Sequence, residues 1–200
     1  MTSDEQASQV ELLTRAFAAT GSSLERVTRE QFALPTPCAD WQVRDLIEHI
    51  VGAAHFFVDV AELGYSPEEQ EWPTESDGDF AAAFGQYARG TVAAFSAPGA
   101  MERTVVLPSG PTAGARAAEV ATGEMCVHGW DLAKATGHTP AADEGVAEGL
   151  LASSWMALCA QVRDSDTPPF APEVRVSRVM PASDRLAGFL GRDPGWSRGR

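Results

Sequence analysis

Apolar residues recur every three or four positions in several stretches of the chain, and this spacing predicts amphipathic helices. The first stretch runs from about Glu5 to Val27, the second from Trp41 to about Leu63 and the third from Phe80 to Phe95. Segment 34–37 contains two prolines and separates the first two stretches, and Asp40 is the candidate N-cap of the second. The first half of the chain is therefore predicted to be helical.

Two more helical stretches follow in the second half of the chain. One runs from about Ala115 to Ala135 and ends at Gly137, and the other covers about Ala142 to Val162. Residues 103–111 precede both and combine a β-branched pair with turn residues, which predicts a short strand or an extended connection. Four main helices with a fifth alongside make a helical bundle the expected architecture.

The C-terminal part of the chain has a different pattern. A proline-rich segment, 167–172, leads into an alternation of Val174, Val176 and Val179, and a short helix is predicted from Ser183 to Leu190. We therefore expect a helical bundle over residues 1–165 and a C-terminal extension, residues 166–200, packed on that bundle.

Composition narrows the functional classes. The chain has 15 Lys and Arg against 28 Asp and Glu, a net charge of −13, and no basic cluster that would bind a nucleic-acid backbone. It has no 18-residue apolar run, and its acidic first residues differ from a secretory signal, so we expect a cytoplasmic protein without a membrane partner. Three cysteines without CxxC spacing favour reduced thiols over a cysteine zinc cluster.

Candidate chemistry lies on the second and fourth predicted helices. At about 100° per residue, His49 shares a face with apolar residues and is predicted to face the core. On the fourth helix, Glu124, His128 and Asp131 interrupt a stripe of small apolar residues. A buried carboxylate without a partner is strongly unfavourable, so these side chains require partners, and a divalent cation would meet the requirement.

Glu124 and His128 are four residues apart, so a carboxylate oxygen and an imidazole nitrogen can converge on one ion. His49 would supply a third ligand from the facing helix, as is common for metal sites in bundle cores. The structural alternative is that His49 is a hydrogen-bonded core histidine and that the other two form an ordinary i,i+4 pair. Spacing by itself leaves both interpretations open.

Two further residues lie close to this set in the sequence pattern. Asp131 is one turn beyond His128 and would orient that imidazole by accepting its free N–H; the alternative is a pair with Lys134 or Arg116. Cys38 precedes the second helix, where it either approaches the mouth of the site or packs as a small apolar residue.

Two sequence blocks carry a family resemblance: TPCADWQVRDLIEHIVG at residues 36–52 and EMCVHGWDLA at residues 124–133. Together they resemble the DinB-like metal-binding bundles, and most closely the branch containing the N-terminal domain of mycothiol-dependent maleylpyruvate isomerase. The segment DRLAGFLGRDP, residues 184–194, resembles single-domain members of this branch. The resemblance implies an all-α fold: a DinB-like up-down-down-up four-helix bundle with an additional helix and a short C-terminal extension.

In that family, the metal is held by a histidine at the end of the first block and by two residues four apart in the later helix. The resemblance therefore implies His49, Glu124 and His128 as metal ligands here. Three protein ligands leave a coordination position open, as in catalytic zinc sites. Zn²⁺ is the preferred ion, although Ni²⁺, Fe²⁺ and Mn²⁺ tolerate the same ligands, and the resemblance adds a low-molecular-weight thiol as a cofactor.

Three functions are compatible with such a site. The first is a thiol-dependent, mycothiol-type transferase or isomerase that acts on a small electrophile through a metal-bound thiolate. The second is a non-catalytic metal-binding or sensing module, and the third is a metal-dependent hydrolase that uses an activated water. The expected partners are a small-molecule thiol and a substrate, and the resemblance also allows a homodimer.

Overall fold

A computed structural model describes residues 2–38, 40–67, 79–139, 143–163 and 170–198 of the chain. Four long helices dominate it: α1 (Ser3–Leu24), α2 (Val43–Leu63), α3 (Phe80–Ser96) and α4 (Gly114–Thr136). Three shorter helices follow: α5 (Glu144–Ala152), α6 (Trp155–Arg163) and α7 (Ala182–Phe189). A 3₁₀ turn (Arg29–Gln31) precedes α2, and an antiparallel pair of strands, β1 (Thr104–Leu107) and β2 (Gly110–Ala113), connects α3 to α4.

Local capping explains one end of each long helix. Thr2 and Glu5 form a capping box at the start of α1, and the Asp79 carboxylate accepts the backbone N–H of Ala82 at the start of α3. The ends of α2 and α4 are set by Gly64 and Gly137, whose φ angles of 90° and 79° are left-handed. The four long helices predicted from apolar spacing are confirmed to within a few residues at each end.

The predicted N-cap of the second helix is wrong. Asp40 has a φ of 68° and lies in a turn, and Gln42 is the residue that caps α2. The backbone N–H of Thr36 donates to the carbonyl of Trp41, and Pro35 pairs with Gln42 in a β-bridge. These contacts hold the segment before α2 in a closed loop, so the helix starts two residues later than the sequence pattern indicates.

The four long helices form an up-down-down-up bundle. α1 packs against α4 and α3, and α2 packs against α3 and α4. The side chain of Gln9 contacts the start of α4, whereas Thr20 bonds to Met125 further along, so α1 and α4 run in parallel. The carbonyl of Phe32 accepts the backbone N–H of Arg44 at the start of α2, and its ring contacts Phe80 at the start of α3. Further along, Thr91 of α3 bonds to the carbonyl of Ala54 in α2, so these two helices also run in parallel. The core between them includes Leu13, Leu46, Ile47, Ile50, Phe84, Phe95, Met125 and Leu132, all fully buried.

The predicted fifth helix, Ala142 to Val162, is interrupted. Ser153 and Ser154 separate α5 from α6, and the Ser153 hydroxyl accepts the backbone N–H of Trp155 to start the second piece. The indole of Trp155 then packs directly over Gly123 of α4. Residue 142 itself lies outside the described residues. The short strand predicted near residues 103–111 is present as β1 and is extended by β2 into a hairpin.

In the described part of the C-terminal extension, residues 170–198, α7 packs on α5 and α4. Residues 170–180, which carry the alternating valines, contain no strand. The backbone N–H of Val174 instead donates to the carbonyl of Gly188, and Val176 lies over that glycine. The boundary expected between residues 165 and 166 falls outside the described residues. Among the helices of the described segments, none is both long and apolar enough to span a membrane.

Gly114→Ala tests the sharp junction between the hairpin and α4. A Cβ at this position would overlap the carbonyl oxygen of Ala100, a backbone atom that cannot move aside, so we expect the free energy of unfolding to fall by roughly 1–3 kcal/mol. Gly85→Ala in α3 is the control, because its Cβ would meet only the flexible end of Arg89. Urea unfolding should show a lower midpoint for the first variant only; equal midpoints would contradict the close approach.

Candidate metal centre

Three polar side chains meet where α2 faces α4. His49 comes from α2, and Glu124 and His128 come from one face of α4. His49 Nε2 is 3.5 Å from Glu124 Oε1, and His128 Nε2 is 3.6 Å from Glu124 Oε2. The two imidazole rings meet edge to face with centroids 4.7 Å apart, and one candidate ligand atom from each residue lies within 4.8 Å of the others. The structure therefore brings together the three residues that the sequence singled out.

The spacing of these atoms fits a small divalent ion. Ligand atoms about 2.0–2.1 Å from a tetrahedral Zn²⁺ are about 3.3 Å from one another, close to the two separations observed. His49 Nε2 is buried and makes no hydrogen bond to any described residue, which is unfavourable for a polar atom unless a ligand satisfies it. This observation argues against the alternative of a hydrogen-bonded core histidine.

One side of the trio is open. The side chains of His49 and Glu124 are 32% and 34% exposed, whereas His128 is 9% exposed. The prediction that His49 faces the core is therefore only partly correct, because its ring lies at the edge of the α2–α4 interface. The side chains of His49 and Glu124 are thus partly accessible to solvent, although His49 Nε2 itself is buried.

Trp41 covers the two histidines from the loop before α2. Its ring centroid is 4.8 Å from that of His49 and 6.1 Å from that of His128, and the second pair is nearly parallel. The aromatic ring excludes water from one wall of the site. His55, six residues further along α2, points elsewhere and stacks on Tyr87 with ring centroids 4.4 Å apart. His49 is thus the histidine of α2 that contacts this site.

Asp131 holds the buried end of the site. Its carboxylate is fully buried, and Oδ2 is 3.1 Å from His128 Nδ1, as expected for a residue that orients this imidazole. The predicted alternative partners are engaged elsewhere: Lys134 bonds to the carbonyl of Pro194, and Arg116 to Glu119 and Ser154. The side chain that compensates the carboxylate is Arg192 of the C-terminal extension.

Arg192 is a site residue that sequence analysis did not identify. Its Nε lies 3.3 Å from Asp131 Oδ1, and its Nη2 lies 3.0 Å from Asp131 Oδ2. The pair is almost completely buried, since the Arg192 side chain is only 12% exposed. Two indirect signals were available: Arg192 lies in the block 184–194 that resembles single-domain members of the family, and a carboxylate on the buried stripe of α4 requires a cation. Neither signal pairs Asp131 with a residue 61 positions away.

Cys38 also reaches this cluster, but at the buried end beside Asp131 and not at the predicted mouth of the site. Its Sγ donates to Asp131 Oδ2 at 3.1 Å, lies 3.9 Å from His128 Nδ1 and accepts from Arg192 Nη2 at 3.5 Å. Cys38, His128 and Asp131 thus form a second set of potential ligands. The guanidinium of Arg192 already neutralises this set, so a cation would face repulsion there.

The other two cysteines do not belong to either set. Cys126 and Cys159 are buried free thiols. Burial raises the pKa of each thiol to about 12, so both remain protonated at neutral pH. They fill the core as small apolar side chains.

The charges of the site are strongly coupled. Burial raises the pKa of Glu124, but the positive charge of His128, the contact with His49 and the charge of Arg192 together outweigh this effect and bring the pKa to about 2. Burial likewise lowers the pKa of His128, while the Glu124 charge and the hydrogen bond to Asp131 raise it to about 10. Without a metal, His128 is therefore a cation held between two carboxylates, and a metal that binds its Nε2 must displace a proton.

The comparisons with known proteins identify the family. The sequence profile described as the mycothiol maleylpyruvate isomerase N-terminal domain matches residues 13–133, more than half of the chain. The chain belongs to this family. The match includes His49, Glu124 and His128. An uncharacterized protein of Mycobacterium tuberculosis, found in two strains, is 38% identical to this chain over 180 residues, which cover 89% of this chain and 94% of the relative.

Two solved structures share the fold. A DinB-like protein from Bacillus subtilis superposes with a TM-score of 0.53 at 21% identity, over 66% of this chain and 94% of its own. The mycothiol-dependent maleylpyruvate isomerase superposes with a TM-score of 0.52 at 14% identity, over 80% of this chain and 75% of its own. These similarities, together with the helix arrangement, confirm the predicted all-α, DinB-like bundle, to which the β1–β2 hairpin is a small addition.

The pKa of His128 should be measurable in the metal-free protein by the NMR titration of its ring protons. We expect a midpoint well above the ordinary value of about 6.5, and a lower midpoint in Glu124→Gln because the neighbouring negative charge is removed. Glu119→Gln is the matched control on the same helix, since Glu119 pairs with Arg116, and it should leave the His128 midpoint in place. An ordinary midpoint in the wild type would contradict the coupled cluster.

The same shift has a consequence for stability. Because the pKa of His128 is raised in the folded state, its contribution to stability is complete below about pH 6.5 and is lost as the pH rises towards about 10. Metal-free protein should therefore unfold at a lower temperature at the alkaline end of this window. The decrease should be smaller in Glu124→Gln, in which the largest source of the raised pKa is missing.

Proposed function

We propose that this protein binds a divalent metal ion through His49, Glu124 and His128 and uses it for thiol-dependent transfer or isomerisation of a small electrophile. The observation that carries the metal site is the buried Nε2 of His49, which has no hydrogen bond in the described structure and faces the Glu124 carboxylate. Family membership supports the thiol, because the family takes its name from a mycothiol-dependent isomerase.

The ligand set suits a catalytic ion better than a structural one. Two imidazoles and one carboxylate are ligands that Zn²⁺ accepts, with Ni²⁺, Fe²⁺ and Mn²⁺ as further candidates. Three protein ligands leave at least one position free, and the partial exposure of His49 and Glu124 gives solutes access to it. A divalent ion held there would act as a Lewis acid and lower the pKa of a thiol or water bound beside it.

Neighbouring residues orient a ligand and form one wall beside this free coordination position. Asp131 contacts Nδ1 of His128, and by accepting the proton on that nitrogen it would leave Nε2 free to bind a metal ion. Trp41 provides an apolar wall over both histidines, which excludes water and offers a surface to the carbon skeleton of a substrate. The three free cysteines agree with a reducing, cytoplasmic setting in which a low-molecular-weight thiol is available.

Removal of any one ligand should abolish the metal site. Elemental analysis of protein purified without a chelator or a metal-affinity tag should find near-stoichiometric metal in the wild type and a small fraction of it in His49→Ala, Glu124→Ala and His128→Ala. His55→Ala is the matched control, because His55 is on the same helix but stacks on Tyr87, and it should retain the metal. Full metal occupancy in all three ligand variants would disprove the assignment.

The metal should also stabilise the fold. A ligand that binds only the native state at 100 times its Kd adds about 2.7 kcal/mol to the free energy of unfolding. Addition of Zn²⁺ to chelator-treated wild type should therefore raise the unfolding temperature, whereas the three ligand variants should respond little. If the wild type neither retains metal nor responds to added Zn²⁺ or Ni²⁺, the metal-site assignment is wrong and the three residues have an ordinary structural role.

The thiol part of the proposal is tested by titration of the Co²⁺-loaded protein with mycothiol. We expect saturable binding accompanied by a new sulfur-to-cobalt absorption band. The disulfide form of mycothiol is the matched control, because it keeps the sugar portions but lacks a free thiol, and it should give no such band. Glu124→Ala, which lacks the metal, should give none with either form.

The other two candidate functions give different results. Hydrolysis of ester or amide substrates without added thiol, lost in His128→Ala, would favour the hydrolase. Metal-dependent stability together with no thiol band and no turnover would favour the non-catalytic module. Either result would overturn the thiol-dependent proposal while leaving the metal site intact.

A further inference from the structure

We infer that Arg192, supplied by the C-terminal extension, is a positioning residue of the metal centre. The inference rests on the proposed metal site and extends it to a part of the chain beyond the matched family segment, which ends at residue 133. Arg192 does not touch His49, Glu124 or the ring of His128 through any described hydrogen bond. It acts on the carboxylate of Asp131, which in turn orients His128.

The geometry gives Arg192 a specific task. Asp131 is fully buried, and three residues contact its Oδ2: His128 through Nδ1 at 3.1 Å, Cys38 through Sγ at 3.1 Å and Arg192 through Nη2 at 3.0 Å. Nε of Arg192 lies 3.3 Å from Asp131 Oδ1 and 3.4 Å from Oδ2. The guanidinium therefore contacts the carboxylate with two nitrogens from one side, in a fork-like arrangement. This fork fixes the plane of the carboxylate and therefore the direction in which His128 Nδ1 donates.

Arg192 is itself held in place. Its Nη1 donates to the carbonyl of Leu190 at 3.0 Å, and the backbone N–H of Arg192 bonds to the carbonyl of Ala187 at the end of α7. Gly191, with a φ of 83°, turns the chain between Leu190 and Arg192 and directs the Arg192 side chain towards α4. The guanidinium is thus positioned by the helix end before it meets Asp131, which lowers the entropic cost of the contact.

The extension has other anchors, so Arg192 is not required merely to attach it. Lys134 donates to the carbonyl of Pro194, Arg163 to the carbonyl of Phe189, and the indole of Trp130 to the Asp184 carboxylate. These contacts tie the same segment to α4 and α6 without touching Asp131. A variant at Arg192 can therefore be compared with a variant that weakens attachment only.

Charge and positioning predict opposite effects on metal affinity. Arg192 is a cation close to the proposed ion, so by charge alone its removal would strengthen the binding of a divalent metal. If Arg192 instead positions Asp131, its removal leaves a buried carboxylate without its main partner, and His128 is no longer held towards the ion. Loss of such an outer contact typically weakens metal binding by about 10–100-fold.

The experiment is a competition titration of Zn²⁺ against a chromophoric chelator, together with the absorption spectrum of the Co²⁺ form. Arg192→Met should weaken Zn²⁺ binding by about tenfold or more and alter the Co²⁺ spectrum. Arg192→Lys keeps the charge but not the fork, and it should show an intermediate affinity. Lys134→Met is the matched control, because it removes a cation that ties the same segment to the same helix, and it should leave both readouts unchanged.

A double mutant tests whether Arg192 acts through Asp131. Asp131→Asn should weaken Zn²⁺ binding, and addition of Arg192→Met to this variant should cause little further loss if both residues serve one contact. Unchanged or tighter Zn²⁺ binding in Arg192→Met, or a loss of equal size in Lys134→Met, would overturn the inference. If Arg192→Met fails to fold, Arg192→Lys supplies the same comparison.

The outcomes distinguish this inference from the proposed function. A wild type that binds no metal would refute the proposed function, and the role of Arg192 with it. A wild type that binds metal through the three ligands, with an affinity and a Co²⁺ spectrum that Arg192→Met leaves unchanged, would refute only the role of Arg192.

Discussion

The ion pair between Asp131 and Arg192 is the contact on which the arrangement of the site depends. A fully buried carboxylate is tolerated only when charged and hydrogen-bonded partners surround it, and Asp131 has partners from three separate parts of the chain. Cys38 comes from the loop before α2, His128 from α4, and Arg192 from the C-terminal extension. The need to compensate one charge therefore draws the extension and the loop onto the face of α4 that carries Glu124 and His128.

The bundle topology provides the other constraint. Because α1 runs parallel to α4 and packs on its far side, α4 presents its polar stripe to α2, where His49 lies opposite Glu124. Small residues make this arrangement possible. At Gly129 a Cβ would press on Thr20 of α1, and at Gly123 it would overlap the indole of Trp155. The close packing of α4 fixes its rotation about its own axis and so fixes the direction of the three polar side chains.

The site combines a buried half and an accessible half. His128 and Asp131 belong to the buried half, where low solvent exposure strengthens their mutual interaction and the pairing with Arg192. His49 and Glu124 belong to the accessible half, below the ring of Trp41. This division suits a metal centre that must hold its ligands rigidly on one side and admit small molecules on the other.

Much of this protein follows from local sequence pattern. Apolar spacing predicts the four long helices, and the two blocks around His49 and His128 predict the DinB-like bundle and the three residues that meet in it. Local patterns predict the structure less well where a contact between distant parts of the chain determines where a helix begins or ends. Ser153 and Trp155 break the predicted fifth helix because the indole packs on α4, and the start of α2 moves because backbone bonds close the loop around Asp40.

The sequence by itself therefore determined which residues lie on the inner faces of α2 and α4, because helical periodicity depends only on near neighbours along the chain. It also indicated Asp131, one turn away, as a residue that would orient the His128 imidazole. Only the tertiary structure decided that Arg192 compensates Asp131, that Cys38 completes the cluster and that Trp41 covers the histidines. Those contacts join segments far apart in the chain, and the charge of a buried carboxylate requires a cation without specifying which one.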